Sequence, residues 1–172
     1  GTDAVPLQKL VFVTSSAYAS SLGGLSGADA KCQTLANAAS LTGTFRAWLS
    51  DSTTSASSRL THATVPYVLA DGTLVASDWT NLTSGQLLHS IDLTEAKGAA
   101  PATSASCNST GAWTGTTVAG NPAGAYCGNW AGVAPDGGSA AVVGSYTSSG
   151  NAWTDDCSAS CSGQAVLYCL EQ

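Results

Sequence analysis

Residues Leu25–Ser50 read LSGADAKCQTLANAASLTGTFRAWLS. Within them Ala28, Cys32, Leu35, Ala36 and Ala39 recur at three- and four-residue intervals, so the spacing predicts a helix over Ser26–Ser40 with Cys32 on its buried face. Ser26 stands three residues before Asp29, which is capping-box spacing. Gly43 is the expected stop. Phe45–Leu49 (FRAWL) then alternates apolar with smaller residues and predicts a strand. A helix with an inward Cys, followed directly by a strand, places the chain in the α+β class and offers a covalent tie between helix and sheet.

Upstream, Lys9–Thr14 (KLVFVT) is β-branched and aromatic and predicts a strand. Gly1–Gln8 is a lead-in, and Ser15–Gly24 is small and polar, hence loop. Downstream, Asp51–Ser58 is Ser/Thr-rich and is also expected as loop. Tyr67–Leu69 and Thr73–Val75 flank Asp71–Gly72, a hairpin signal, because Gly tolerates the positive φ of a tight turn. Asp78 or Ser77 caps an expected second helix through Leu82, closed by Gly85. From Gly98 onward Gly recurs and apolar residues come in short clusters: Ala112–Thr114, Tyr126–Trp130, Ala140–Tyr146 and Ala165–Leu170. These predict short strands joined by long loops. The division is a lead-in, 1–8, and a single domain, 9–172.

The 172 residues carry a net charge of −6, and only 9% are charged, against an ordinary ~25%. That balance excludes a basic nucleic-acid footprint and a polybasic membrane patch. No apolar run reaches the ~20 residues that span a bilayer. Six Cys occur (Cys32, Cys107, Cys127, Cys157, Cys161, Cys169), without a CxxC pair and far from His62 and His89. This favours three disulfides in an oxidising compartment over zinc. The chain has no Met and starts at Gly1. A mature, exported, soluble protein whose leader has been removed is therefore expected, extracellular or at a cell surface.

Several of these segments resemble endostatin, the C-terminal domain of certain non-fibrillar collagens. They are Leu25–Cys32 (LSGADAKC) with Leu41–Ser50 (LTGTFRAWLS), Val65–Trp79 (VPYVLADGTLVASDW), Tyr126–Trp130 (YCGNW), and the ending Cys161 to Cys169-Leu170-Glu171. Trp113–Thr116 (WTGT) and the terminal LYCLEQ are similar to bacterial endostatin-like domains of unsettled function. Some members of that group are surface proteins implicated in binding host matrix and complement regulators. The resemblance implies a C-type-lectin-like fold: two helices on a twisted, mixed, mostly antiparallel sheet, with a long-loop second half and three disulfides. It implies a Cys32–Cys169 bridge and a nested Cys127–Cys161 bridge. Cys107 and Cys157 are then expected to pair with each other, a bridge that endostatin lacks. Endostatin's zinc site uses N-terminal His, and Gly1–Phe12 has none. Its heparin site uses clustered Arg, and only Arg46 and Arg59 occur here. Neither function is carried over. The calcium-lectin signatures Glu-Pro-Asn and Gln-Pro-Asp are missing, and Trp153-Thr154-Asp155 is a faint echo of that family's Trp-Asn-Asp.

Nucleophilic catalysis needs a base in reach of a Ser or Cys. Only His62 and His89 could serve, neither beside a hydrolase motif, and both are expected to be structural or surface residues. The two Glu, Glu95 and Glu171, do not announce a glycosidase pair. No cofactor is called for, save a weak calcium candidate at Asn151, Asp155 and Asp156 with Asp136, because hard cations want several converging oxygens. Trp48, Trp113 and Trp130 are expected in the core. Trp153 and Tyr146 are expected exposed on the long-loop face, where with Asn151 and Asp155 they would form an aromatic platform for a ligand. Asn81 and Asn108 stand in glycosylation sequons. The reading is a non-enzymatic extracellular recognition or adhesion module. It would present loops of residues ~115–160 to a glycan or a protein, as loops on rigid supports commonly do. The alternative is a self-associating subunit of a surface assembly or filament, with Val5–Thr14 adding as a strand to a neighbour's sheet.

Overall fold

Val11, Phe12 and Val13 are all fully buried, so the strand they form has no solvent face. The computed structural model, which describes residues 7–132 and 140–172, shows why. β1 (Lys9–Val13) is the middle of a five-stranded sheet with β3 (Phe45–Ala47), β4 (Tyr67–Val68), β5 (Leu74–Ala76) and β10 (Tyr168–Glu171), in the order β3-β10-β1-β4-β5. Only the β1–β4 pairing is parallel. Because side chains alternate across a strand, Val11 and Val13 enter one core with Tyr67, Trp153, Tyr168 and Leu170. Phe12 enters the other with Cys32, Phe45, Trp113, Trp130 and Cys169. A continuous apolar run is what a strand buried on both faces requires.

α1 (Gly24–Ala38) covers the second face through Ala28, Cys32 and Ala36, and Cys32–Cys169 bolts it to β10. The remaining bridges are Cys127–Cys161 and Cys107–Cys157, so both pairings implied by the resemblance are present, and so is the expected pairing of the two remaining cysteines. β2 (Tyr18–Ala19) pairs with β9 (Gln164–Ala165), and β6 (Gly111–Trp113), β7 (Ala140–Ser145) and β8 (Cys157–Ser160) form a three-stranded sheet in the loop-rich half. That half joins the main body through an Ala112–Val166 bridge and a buried polar network. In it the Trp48 indole donates to Thr154 Oγ1 at 2.7 Å, Thr154 Oγ1 donates to the Thr116 carbonyl at 2.8 Å, and Thr116 Oγ1 donates to Ser50 Oγ at 2.9 Å.

The structure corrects several expectations. α1 begins at Gly24, and its N-cap is Gly23 with no side-chain cap. Asp29 is not a capping residue, since it turns sideways to β3. The helix stops at Ser40, not Gly43: Ser40 has φ 58°, and the Ser40 and Leu41 N–H groups bond the Asn37 and Ala36 carbonyls. This is a Schellman ending with Ser where Gly is usual. Ser40→Gly is expected to stabilise by about 0.5–1 kcal/mol, the left-handed penalty less the added unfolded-state freedom, raising Tm by about 1–4 °C. A melting curve showing no rise would count against this ending. The Asp51–Ser58 segment, expected as loop, runs into a one-turn helix, α2 (Ala56–Arg59), capped by the Ser55 hydroxyl. The second helix, α3 (Trp79–Leu82), is capped by Asp78 as expected. A 3₁₀ turn at Asn151–Trp153 was not foreseen. The strand within Val5–Thr14 is β1, already paired on both sides, so it is not available to a neighbour's sheet.

The outer edge of β3 is closed by side chains. β3 bonds β10 on its inner side, with Trp48 N–H to the Tyr168 carbonyl and Gln172 N–H to the Thr44 carbonyl. The Phe45 and Ala47 groups therefore face outward. Phe45 N–H donates to Gln33 Oε1 at 2.8 Å, Ala47 N–H to Asp29 Oδ1 at 2.9 Å, and Arg59 Nη1 to the Ala47 carbonyl at 2.7 Å. Asp29 and Arg59 are themselves paired at 2.5 Å. Three side chains thus take the place of a missing strand.

Candidate functional site

Among the described residues, the histidines and the buried glutamate that could take part in catalysis make structural hydrogen bonds. Ser57 Oγ lies 3.4 Å from His62 Nε2, but that nitrogen is also 2.7 Å from the Ser57 carbonyl. A carbonyl accepts only, so Nε2 carries the proton and is no base for the hydroxyl. The His62 ring stacks on Trp79 at 4.1 Å and 8°. His89 Nδ1 donates to the Ser90 carbonyl at 2.7 Å. The Glu95 carboxylate is buried and accepts from Ser15 N–H and Ser15 Oγ. Among the described residues, one group of three metal-ligating types occurs, Cys107, Asp156 and Cys157, and its two sulfurs are bonded to each other. Asp155 and Asp156 are exposed, and Asp136 lies outside the described residues.

The expected aromatic platform is not on the surface. Trp153 is 0% exposed and Tyr146 8%. The Trp153 ring sits 4.9 Å from Trp48 and 5.4 Å from Tyr168, and its indole N–H has no acceptor among the described residues. Tyr146 donates to the Pro101 carbonyl at 3.0 Å. The physical reason is that the Ser/Gly-rich stretch Thr147–Gly150 folds back on the sheet. The Leu87 N–H donates to the Ser149 carbonyl at 2.7 Å, and both rings are carried into the first core. Asn151 and Asp155 remain exposed. Asn151 Oδ1 leans on Gly85, where a Cβ would come within 2.3 Å of it. Trp48, Trp113 and Trp130 are fully buried, as expected.

A different surface is unusual in its backbone. Cys127, Gly128, Asn129 and Trp130 have φ of 50°, 62°, 56° and 64°, one full turn of left-handed helix. Only one of the four is Gly. Each L-residue held so costs roughly 1–2 kcal/mol, and such strain persists only where the surroundings over-determine it. The surroundings here do. Cys127 is bridged to Cys161, and the Trp130 ring is buried with its indole on the Ser50 carbonyl at 2.7 Å. The Trp130 carbonyl accepts the Leu22 and Gly23 N–H groups. Gly115 lets the turn seat, since a Cβ there would lie 2.8 Å from Tyr126 and 2.9 Å from Trp130.

The turn presents Gly128 and Asn129 to solvent. Asn129 Oδ1 accepts the Ser52 N–H at 3.0 Å, and its Nδ2 donates to Ser52 Oγ at 2.9 Å. The next two residues, Thr53 and Thr54, are held by Asp51 Oδ1, which accepts their N–H groups at 2.9 and 2.7 Å. The 117–121 loop, closed by Thr117 N–H to the Asn121 carbonyl at 2.8 Å, docks on α2 through Ser57 N–H to the Gly120 carbonyl. The outcome is a polar loop face on a rigid base, with the half-buried Asp51 carboxylate as its charge. Sequence reasoning read Tyr126–Trp130 as a strand and missed Asn129 and Ser52. The signal was the Gly-Asn dipeptide, the two residue types most tolerant of left-handed backbone.

The family model described as "Collagenase NC10 and Endostatin" matches residues 9–172. No curated protein matches the chain.

Proposed function

The chain belongs to the endostatin family across residues 9–172, and from that premise we propose that it is a non-enzymatic extracellular recognition module that binds a glycan or protein ligand through its loop face. The observation that carries this reading is the left-handed turn at Cys127–Trp130. The fold spends one of its three bridges and a buried Trp on holding a strained turn whose outward residues do nothing for the core. Strain kept at a surface is a reason to look for a ligand there. The disulfides support an oxidising, extracellular setting, and no helix among the described residues is long and apolar enough to cross a membrane.

Screening against extracellular-matrix proteins and a glycan array tests the proposal, with Asn129→Ala compared against the parent chain. Loss of the two Ser52 bonds frees the face and is expected to weaken binding about tenfold or more, since each such bond is worth ~1 kcal/mol. Near-UV dichroism controls for folding. Binding indifferent to Asn129→Ala would place the ligand elsewhere.

A further inference from the structure

We propose a second binding site, separate from the loop face, in the open groove on the outer side of α1. It takes a single carboxylated sugar such as a terminal uronic acid. The groove has a volume of about 430 Å³ and is lined by Tyr18, Gly27, Ala30, Lys31 and Thr34. That is within the range of small-ligand pockets. The four α1 residues stand at i, i+3, i+4 and i+7, one stripe of the helix. Tyr18 forms the opposing wall. Its backbone is fixed by the Trp113 indole, which donates to the Tyr18 carbonyl at 2.9 Å, and by pairing with Ala165.

The charge at the groove is what selects the ligand. Lys9 donates to the Gln172 carbonyl, Arg46 to the Arg59 carbonyl, and Arg59 to Asp29. Lys31 and Lys97, among the described residues, make no side-chain hydrogen bond or ion pair, and of the two it is Lys31 that lines this groove, its ammonium 5.3 Å from the centre of the Tyr18 ring. The buried Glu95 carboxylate is occupied by Ser15. A free cation beside an aromatic wall is complementary to a carboxylate attached to a ring with apolar C–H faces. A net charge of −6 repels a polyanion, so one carboxylate suits the site better than a charged polymer.

A peptide is less suited. Backbone groups inside a helix are already paired, so the α1 wall offers an extended chain no main-chain partners. What it does offer is side-chain chemistry for hydroxyls. Thr34 Oγ1 donates to the Ala30 carbonyl at 2.8 Å and keeps its lone pairs for an incoming hydroxyl.

The experiment is an NMR titration of the full chain with methyl glucuronide. Its neutral methyl ester, methyl glucoside and an end-blocked glutamate peptide serve as comparisons. Saturable shifts centred on Gly27, Ala30, Lys31 and Thr34 are expected, with Kd on the order of 1 mM. Both neutral sugars should bind about tenfold more weakly or worse. Lys31→Gln should weaken the uronate about tenfold while Lys31→Arg stays within about threefold, the charge being what is read. Tyr18→Ala should weaken it comparably. Asn129→Ala should leave it unchanged, so the two sites stand or fall separately. The assignment is overturned if the uronate gives no saturable shift along α1. It is equally overturned if the ester binds as well as the acid, if the glutamate peptide matches the uronate, or if Lys31→Gln has no effect.

Discussion

Replacing Cys32 and Cys169 together by Ala is expected to remove about 5 kcal/mol of stability. The bridge spans a sequence separation of 137, and in the chain-entropy account closing a loop of that size restricts the unfolded ensemble by about that amount. Both positions are fully buried, so the lost sulfurs also leave small cavities between α1 and β10. Domains of this kind have about 5–15 kcal/mol in total, so the variant is expected at the margin of folding. Guanidinium unfolding of parent and variant measures this as a large fall in midpoint, with a steeper slope because the denatured chain without its bridge is less compact. The Cys107–Cys157 bridge closes a loop with separation 50, and its removal is expected to cost about 4 kcal/mol at most. Its Cys107 end is exposed, so no core cavity is added there. A loss below about 2 kcal/mol for the Cys32/Cys169 pair would mean that the two cores hold the molecule without it.

Asp29→Ala is expected to act twice. It strips the acceptor from the Ala47 N–H, and it leaves the Arg59 guanidinium, whose side chain is 10% exposed, without its partner. An unsatisfied, largely buried donor costs about 1–3 kcal/mol, and a cation deprived of its carboxylate costs more than the pair contributed. A total of about 2–4 kcal/mol is expected. The second effect concerns association. With Asp29 gone and Arg59 released, the Ala47 N–H and carbonyl face solvent while Gln33 still covers Phe45, and a sheet edge opened in this way is prone to pairing with another chain. Light scattering on a sizing column should show the parent at its native mass and the variant forming concentration-dependent dimers or larger species. Asp29→Asn separates the two effects, since its amide oxygen still accepts from Ala47 while the ion pair is lost. It should lose stability and gain little association. A variant Asp29→Ala that keeps the parent's mass at high concentration would remove this guarding role.

Much of the architecture was legible in the residues, for reasons that can be named. Lys9–Thr14 and Phe45–Leu49 carried strand composition, and Ala28, Cys32 and Ala36 carried the helical stripe. Asp71–Gly72 fixed the hairpin turn, where Gly72 has φ 91°. Boundaries failed where local signals compete. Asp29 has capping-box spacing, but its carboxylate is drawn to the edge of β3, a partner close in space and eighteen residues away in sequence. Ser40 takes a conformation for which Gly43 was the better local candidate. The site failed for a related reason. Trp153 and Tyr146 sit among small polar residues, and nothing local tells an exposed ring from one carried inward by its chain neighbours. Both are in the core because β7 and the following turn fold over the first sheet face. Asn129 was overlooked because a left-handed turn has no apolar period to detect.

The neighbouring positions of β1 and β10 have a bearing on how the module is mounted. They run antiparallel with Val11 opposite Leu170, and Lys9 Nζ meets the Gln172 carbonyl at 2.8 Å. Entry and exit therefore sit at one corner, like the two wires of a lamp. Such a unit can be spliced into a surface loop of a host protein with little distortion. Tension applied through its flanks would unzip the pairing of its first and last strands, from the corner inward toward Cys169.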